Sequence, residues 1–248
     1  MTYCLGIATH QGLVLASDSR TNAGMDQINI CRKMHPFVRE GERVFALLTS
    51  GSLSVAQSVV TLLQRDFDAG TGLASAPTFY DAARIVGEQI RRLAALDREA
   101  LERDQLTFNI NILLGGQIRG EPPQLYLIYP QGNPIRATDD SPYLQIGEVK
   151  YGRPILDRGV KFHLTTLEEA TKFALISLDS TMRSNVTVGP PIDMMVLRKD
   201  DLRVSRYRRF TAKDPDLQRV QYQWDLALRK AITELPNIPF EELHEGGL

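Results

Sequence analysis

Short apolar runs separated by turn residues open the chain and predict four β-strands within its first fifty residues. The runs cover residues 3–8, 12–17, 33–38 and 43–49, and Gly, Asn and Glu-Gly turn signals lie between them. This order of strands and turns predicts a β-meander at the start of the chain.

Helical spacing of apolar residues follows after residue 51. A first helix is predicted from one apolar face made of Leu53, Ala56, Val59, Val60 and Leu63, and a longer helix is predicted over residues 80–104. Two helices therefore follow the first four strands.

The second half of the chain predicts four more strands and two more helices. Thr165 and Thr166 are each followed three residues later by a glutamate, which is the spacing of a capping box at the start of a helix. The last helix is predicted over about 217–235. The strands are predicted at 108–114, 124–129, 143–146 and 192–197.

Blocks of strands that alternate with pairs of helices, without a strict βαβ rhythm, indicate antiparallel sheets with helices on their outer faces. The predicted fold is therefore α+β, a four-layer αββα sandwich. Because no linker or internal repeat divides the sequence, we expect one domain over residues 1–248.

Composition and charge exclude several classes of partner. The chain has 248 residues, of which 43% are hydrophobic and 24% charged, and its formal net charge is -1. These values are typical of a globular protein. Acidic and basic residues are interleaved, so the sequence lacks the basic footprint of a nucleic-acid or anionic-membrane binder. No nucleic-acid or membrane partner is expected.

The N-terminus and the cysteines indicate the compartment. The first residues lack the positive and apolar regions of a secretory signal, and no stretch is long and apolar enough to span a bilayer. Cys4 and Cys31 are too few for a disulfide framework, which fits a reducing compartment. The predicted location is the cytoplasm.

The histidines do not indicate a metal site. They are scattered along the sequence without paired ligand spacing, at His10, His35, His163 and His244. We expect neither a metal nor another cofactor.

Thr2 combines two groups useful for catalysis if Met1 is removed. A hydroxyl and a free α-amine then belong to one residue, and the amine is a base for the weakly nucleophilic hydroxyl. The ordinary pKa of an α-amine, about 7.7 to 8.0, suits that role near neutral pH. Threonine is also common at position 2 without any catalytic role.

Asp18 and Lys33 supply the charges that such a base requires. Asp18 ends an apolar strand, and Lys33 opens another. A lysine near the amine favours its neutral form by like-charge repulsion, and a carboxylate beside the lysine keeps it charged. Taken singly, Asp18 also fits a turn cap and Lys33 a solvated strand end.

Together these residues resemble the proteasome β-subunit pattern in order, type and spacing. The resemblance rests on Thr2, on Leu-Ala-Ser-Asp-Ser-Arg at 15–20 and on Lys33, and it covers nearly the whole chain. It is closest to Anbu, the bacterial proteasome-like family, through residues 17–24, 32–35 and 189–193. The resemblance implies Thr2 as nucleophile, Asp18 and Lys33 as its helpers, and Arg20 as a supporting residue.

A small-residue turn at Ser50 and Gly51 resembles the family's oxyanion site. It lies at a predicted strand-to-helix junction, where a glycine N–H is well placed to stabilise an oxyanion. Ser-Gly before a helix is also ordinary capping chemistry. The resemblance assigns the oxyanion role to Gly51, with Ser50 in support.

Two positions depart from the proteasome pattern. The segments aligned with 146–148 and 183–184 carry helper serine and aspartate residues in proteasome β-subunits, whereas this chain has Glu148 and Ser184. A carboxylate at Glu148 would hold the α-ammonium charged and oppose its use as a base. Alternatively, the two positions have exchanged roles.

Three functions fit these residues. The first is a peptide or amide hydrolase that forms an acyl ester on Thr2. The second is an oligomeric structural or binding assembly with weak or no turnover, and the third is an amidase for small amides. Predicted rim residues of the substrate pocket are Thr21, Asn22, Ser50 and Ser52.

The resemblance also implies self-association into rings or open, lock-washer-like helical turns. Classical family members work with unfoldase ATPases. The sequence contains no recognisable docking motif for such a partner, so an ATPase partner is unsupported.

Overall fold

Two five-stranded antiparallel sheets form the frame of the protein. A computed structural model describes residues 2–22 and 28–240, without the side chains of residues 22, 28 and 29. With strands numbered in chain order, the first sheet has the spatial order β10 (Tyr143–Gly147), β1 (Tyr3–Thr9), β2 (Gly12–Asp18), β11 (Ile192–Arg198), β12 (Arg206–Phe210).

The second sheet is built from consecutive hairpins. Its spatial order is β5 (Met34–Arg39), β6 (Arg43–Gly51), β7 (Ile110–Ile118), β8 (Gln124–Ile128), β9 (Pro134–Arg136). A separate two-stranded ladder, β3 (Arg20–Asn22) with β4 (Ile28–Ile30), lies on the path between the two sheets.

Helices cover the outer face of each sheet. The second sheet is covered by α1 (Leu53–Asp68) and α2 (Phe79–Arg103), and the first by α4 (Leu167–Ser184), which contacts both α3 (Arg153–Gly159) and α5 (Pro215–Thr233). No helix in the described part of the chain is long and apolar enough to cross a membrane.

Three apolar clusters fill the spaces between four layers. One lies between α1, α2 and the second sheet, one between the two sheets, and one between the first sheet and α4. All seven residues of β1 and all seven of β2 are buried, because these central strands have a helix layer on one face and a sheet on the other. The predicted four-layer αββα sandwich is confirmed.

The predicted β-meander is wrong. The first hairpin, β1 with β2, belongs to one sheet, whereas the second hairpin, β5 with β6, belongs to the other. The chain changes layers between Asp18 and Met34. Local apolar patterns predict strands but do not determine which sheet each strand joins.

Most predicted elements are present, with boundaries shifted by a few residues. The capping box forms at Thr166 with Glu169, one of the two predicted pairs, while Thr165 accepts a hydrogen bond from the Lys161 N–H. The sequence pattern did not predict β3, β4, β9, β12 or α3. Three of these strands have three residues each, and β12 is dominated by arginine.

Candidate active site

The candidate site lies where the chain crosses from one sheet to the other. Thr2 directly precedes β1 and Asp18 ends β2, both in the first sheet, while Lys33 directly precedes β5 and Gly51 ends β6 in the second. The fold therefore brings together four residues that are spread over fifty positions of sequence. Thr2, Lys33 and Gly51 line a common cavity of about 50 Å³.

Asp18 and Lys33 form a buried ion pair. Lys33 Nζ lies 2.6 Å from Asp18 Oδ1, and the two residues are 5% and 0% exposed. Buried charges are costly unless paired and hydrogen-bonded. The same Asp18 oxygen accepts the backbone N–H of Tyr3 at 3.0 Å, while Oδ2 accepts the N–H groups of Arg20 at 3.2 Å and Gly189 at 3.3 Å.

Opposing effects act on the acidity of Asp18. Burial raises the pKa of its carboxyl above the ordinary value, while the Lys33 ammonium and the amides of Tyr3 and Gly189 act in the opposite direction. Lys33 also donates to the backbone carbonyl of Arg20 at 2.7 Å. The ammonium is therefore held on two sides by the residues that connect β2 to β3, Asp18–Arg20, which we call the Asp18–Arg20 turn.

The backbone of Thr2 is fixed by its neighbours. Its carbonyl accepts the N–H of Glu148 at 2.7 Å. Gly147 makes this approach possible: its φ is +86°, and a Cβ there would lie 1.9 Å from the Thr2 carbonyl oxygen. The next residue, Tyr3, is anchored through its hydroxyl to Ser177 Oγ at 2.6 Å. Thr2 thus directly precedes a strand that pairs with β10 and β2 and is hydrogen-bonded to α4 through Tyr3.

Gly51 has a backbone conformation that requires glycine. Its φ is +114°, and a Cβ would lie 2.3 Å from the Asn109 carbonyl oxygen. Thr49 donates its N–H to Lys33 on the β5 side at 3.0 Å, and Ser52 donates to Asn109 on the β7 side at 2.7 Å. Because successive amides alternate along a strand, the Gly51 N–H points to the β5 side, beyond the last β5–β6 pair, Met34 with Leu48.

The predicted rim residues divide into three groups. Thr21 and Ser50 line the cavity beside Thr2. Ser52 is the N-cap of α1, and its Oγ lies 3.2 Å from Ser54 Oγ. The side chain of Asn22 lies outside the described residues.

Of the two positions that depart from the proteasome pattern, Glu148 contacts Thr2 and Ser184 does not among the described contacts. The carboxylate of Glu148 accepts a hydrogen bond from Asn185 Nδ2 at 3.1 Å, and its own N–H contacts Thr2 as described above. Ser184 is exposed at the last position of α4. Arg20 donates to the Val186 carbonyl at 2.5 Å, so its side chain lies near the same loop.

Part of the cavity wall consists of residues that the sequence pattern did not indicate. Cys31 and Arg32, directly before Lys33, also line the cavity, as do Leu53 and Ala56 from the first turn of α1. The apolar face of that helix predicted core positions, which concealed the role of Leu53 and Ala56. Over residues 2–22 and 28–240, no group of three or more His, Cys, Asp or Glu residues is placed to hold a metal ion.

Comparisons with known proteins identify the family. The family model described as Proteasome subunit matches residues 2–197. The chain is 26% identical over 210 residues to a proteasome subunit beta from Haloquadratum walsbyi, covering 84% of this chain and 78% of that protein.

Solved structures of Anbu proteins share the fold over nearly the full length. Anbu from Yersinia bercovieri, described as an ancestral beta-subunit, is 42% identical with a TM-score of 0.90, covering 97% of this chain and 100% of that one. The helical assembly of the Anbu complex from Pseudomonas aeruginosa is 44% identical with a TM-score of 0.90, covering 96% and 98%. The chain therefore belongs to the proteasome subunit family and, within it, to the Anbu proteasome-like family.

Proposed function

We propose that the protein is an N-terminal-threonine hydrolase that cleaves peptide or amide bonds through an acyl ester on Thr2, after removal of Met1. The observation that carries this proposal is the buried Asp18–Lys33 ion pair, whose lysine lines the same cavity as Thr2 and Gly51. The family membership supports the same chemistry.

In this reaction the Thr2 Oγ attacks the substrate carbonyl carbon, and the Thr2 α-amine takes the hydroxyl proton. The carbonyl oxygen becomes an oxyanion that accepts a hydrogen bond from the Gly51 N–H. The C–N bond then breaks, the leaving amine takes the proton from the α-ammonium, and an ester on Thr2 remains. Water, deprotonated by the α-amine, hydrolyses this ester and restores the Thr2 hydroxyl.

Lys33 and Asp18 tune the base. An α-amine has an ordinary pKa of about 7.7 to 8.0, and a neighbouring ammonium lowers it by repulsion. Lys33 supplies that ammonium, and Asp18 holds it through the 2.6 Å ion pair. Arg20 contributes its carbonyl to Lys33, and Glu148 supports Thr2 by donating its N–H to the Thr2 carbonyl. Ser184 is proposed as a supporting residue from the family pattern alone.

One observation favours the two alternative functions, a small-amide amidase and an oligomeric assembly with weak or no turnover. The cavity beside Thr2 has a volume of about 50 Å³, well below the roughly 300–1,000 Å³ of a typical ligand pocket. A cavity of that size is compatible with a small-amide amidase, or with an oligomeric assembly that has weak or no proteolytic turnover.

We further propose that the chain is one domain that self-associates into a ring or an open helical oligomer in the cytoplasm. The Pseudomonas aeruginosa relative solved as a helical assembly supports self-association. An ATPase partner remains unsupported.

The test is covalent labelling with a peptide epoxyketone, followed by intact mass measurement. This warhead closes its ring only on a residue that carries both a hydroxyl and a free α-amine. We expect a mass lacking Met1 and carrying one inhibitor, with Thr2→Ala unlabelled and Thr2→Ser labelled. Retention of Met1 would contradict the mechanism, and loss of Met1 without an adduct would favour the assembly with weak turnover.

A further inference from the structure

A second buried carboxylate, Asp193, lies in the same sheet as Asp18. It is 1% exposed and lies in β11, paired in register with Ser17 of β2. Its oxygens accept hydrogen bonds from Tyr207 at 2.5 Å and from Arg209 at 2.9 and 2.8 Å, both in β12. The guanidinium of Arg209 thus compensates its charge within the β11–β12 hairpin.

Ser19 connects this carboxylate to the candidate active site. Its hydroxyl donates to Asp193 Oδ2 at 3.2 Å. Within the described residues, it is the sole side-chain hydrogen-bond partner of Asp193 outside β12. The Ser19 N–H donates to the Gly189 carbonyl at 3.4 Å, and its carbonyl accepts the Cys31 N–H at 2.8 Å.

The position of Ser19 in the chain gives this contact its significance. Ser19 lies between Asp18, whose carboxylate binds the Lys33 ammonium, and Arg20, whose carbonyl is the second acceptor for the same ammonium. A rotation of this turn would move both acceptors at once. The carboxylate of Asp193 is a fixed point outside the turn, because it is buried and bound by two donors from β12.

We infer that Asp193 is a positioning residue for the Thr2 reaction, acting through the Ser19 hydroxyl to hold the Asp18–Arg20 turn and therefore the Lys33 ammonium. This inference rests on the proposed hydrolase function for its effect on rate, but the placement of Lys33 has consequences for the α-amine that do not require turnover. The strand pairing of β2 with β11 runs from Asp18 to Gly12 through backbone contacts, so it does not depend on the Ser19 side chain.

Three substitutions separate positioning from general stability. Ser19→Ala removes the contact with the turn and leaves the Asp193–Arg209 ion pair intact. Tyr207→Phe is the matched control, since it removes a hydrogen bond to the same carboxylate that does not touch the turn. Ser19→Thr keeps the hydroxyl and serves as the conservative rescue.

Two readouts are measured from pH 6 to 9. The first is the rate of epoxyketone labelling, and the second is the rate of Thr2 α-amine carbamylation by cyanate, which reports the pKa of the amine without any catalysis. If Met1 is retained, Thr2 is exposed by cleavage of an N-terminal fusion. Urea unfolding of each variant verifies that it is folded.

Loss of a hydrogen bond to a charged group changes a rate or equilibrium constant that depends on it by about 10-fold or more. We expect Ser19→Ala to slow labelling by at least about 10-fold and to raise the pKa of the α-amine, because a displaced Lys33 repels the α-ammonium less. Tyr207→Phe also removes a hydrogen bond to the charged carboxylate, but this bond comes from β12 and does not touch the Asp18–Arg20 turn, so the substitution should change the labelling rate by less than about 3-fold. Ser19→Thr should restore both readouts.

The inference is overturned if Ser19→Ala labels at the wild-type rate and its α-amine has the same pKa as in the wild type. If the wild-type protein does not label at all, the hydrolase proposal fails. A raised α-amine pKa in Ser19→Ala would then still support the positioning role, and an unchanged pKa would refute it.

Discussion

The backbone N–H of Tyr3 donates to the carboxylate of Asp18 at 3.0 Å, on the same oxygen that binds the Lys33 ammonium. One carboxylate oxygen therefore fixes both the residue that follows the proposed nucleophile and the cation that is proposed to tune its amine. The proposed nucleophile and its proposed electrostatic partner share one anchor.

The first prediction concerns this anchor. Asp18→Asn leaves the Lys33 ammonium buried without its counter-charge, so we expect a loss of about 3–5 kcal/mol in the free energy of unfolding and no epoxyketone labelling. The double variant Asp18→Asn with Lys33→Met should recover part of the stability without recovering labelling. Urea unfolding measures the first quantity, and equal stabilities of the single and double variants would contradict the role of the ion pair.

The second prediction concerns the proposed oxyanion donor. Gly51→Ala forces a side chain into a φ of +114° against the Asn109 carbonyl, so the N–H must move. We expect labelling to slow by about 100-fold, the magnitude typical of losing one oxyanion donor. Gly120→Ala is the matched control, because Gly120 also has a positive φ, +88°, but open space around the Cβ position.

For the Gly120→Ala control we expect a loss of about 1–2 kcal/mol from backbone strain and a wild-type labelling rate. If both glycine variants slowed labelling equally, strain rather than the oxyanion site would explain the effect of Gly51→Ala.

The third prediction concerns the two thiols. Cys4 is fully buried, and burial raises the pKa of its thiol, whereas Cys31 is partly exposed and lines the cavity beside Thr2. Iodoacetamide at pH 7.5 should therefore modify one thiol in the native protein, and Cys31→Ser should abolish the reaction. Prior epoxyketone labelling should protect Cys31, as followed by peptide mapping, and modification of Cys4 in the folded protein would refute this assignment.

The fourth prediction concerns His35 and pH. Burial, together with the charge of Arg32, lowers the pKa of His35 below its ordinary value of 6.5, and Asp193 acts in the opposite direction. The unfolded chain then binds more protons than the folded one between the two pKa values. The contribution of His35 to stability is complete above about pH 6.5 and is lost as the pH falls from 6.5 toward the lower folded value.

His35→Gln removes this titration while keeping a polar side chain. The difference in unfolding free energy between wild type and variant should therefore change as the pH falls below about 6.5, measured by urea unfolding at several pH values. A difference that is constant from pH 5 to pH 8 would show that His35 titrates normally.

The sequence was most informative where chemistry and chain order coincide. Thr2, Asp18 and Lys33 were recognisable because their types and spacing match a family pattern, and the fold follows from the same match. Apolar periodicity found most helices and strands but assigned β5 and β6 to the wrong arrangement, since pairing between sheets is a tertiary property.

The remaining parts of the site depend on contacts that no local pattern contains. Ser19 and Asp193 are 174 positions apart, and no local pattern connects the polar run at residues 17–20 with the carboxylate near the start of β11. Leu53 and Ala56 follow helical spacing equally well as core or as cavity wall. The positive φ of Gly51 was likewise foreseeable only as the presence of a glycine near a turn.

The passage of the chain between layers at residues 19–33 has a further consequence. Thr2 and Asp18 are attached to one sheet, and Lys33 and Gly51 to the other. A displacement of one sheet relative to the other by about 1 Å would therefore separate the proposed nucleophile from its proposed cation and oxyanion donor. We expect the reactivity of Thr2 to report how the two sheets are aligned. Substitutions deep in the apolar cluster between the sheets, far from any reacting atom, will be detectable as changes in that reactivity before they are detectable as unfolding.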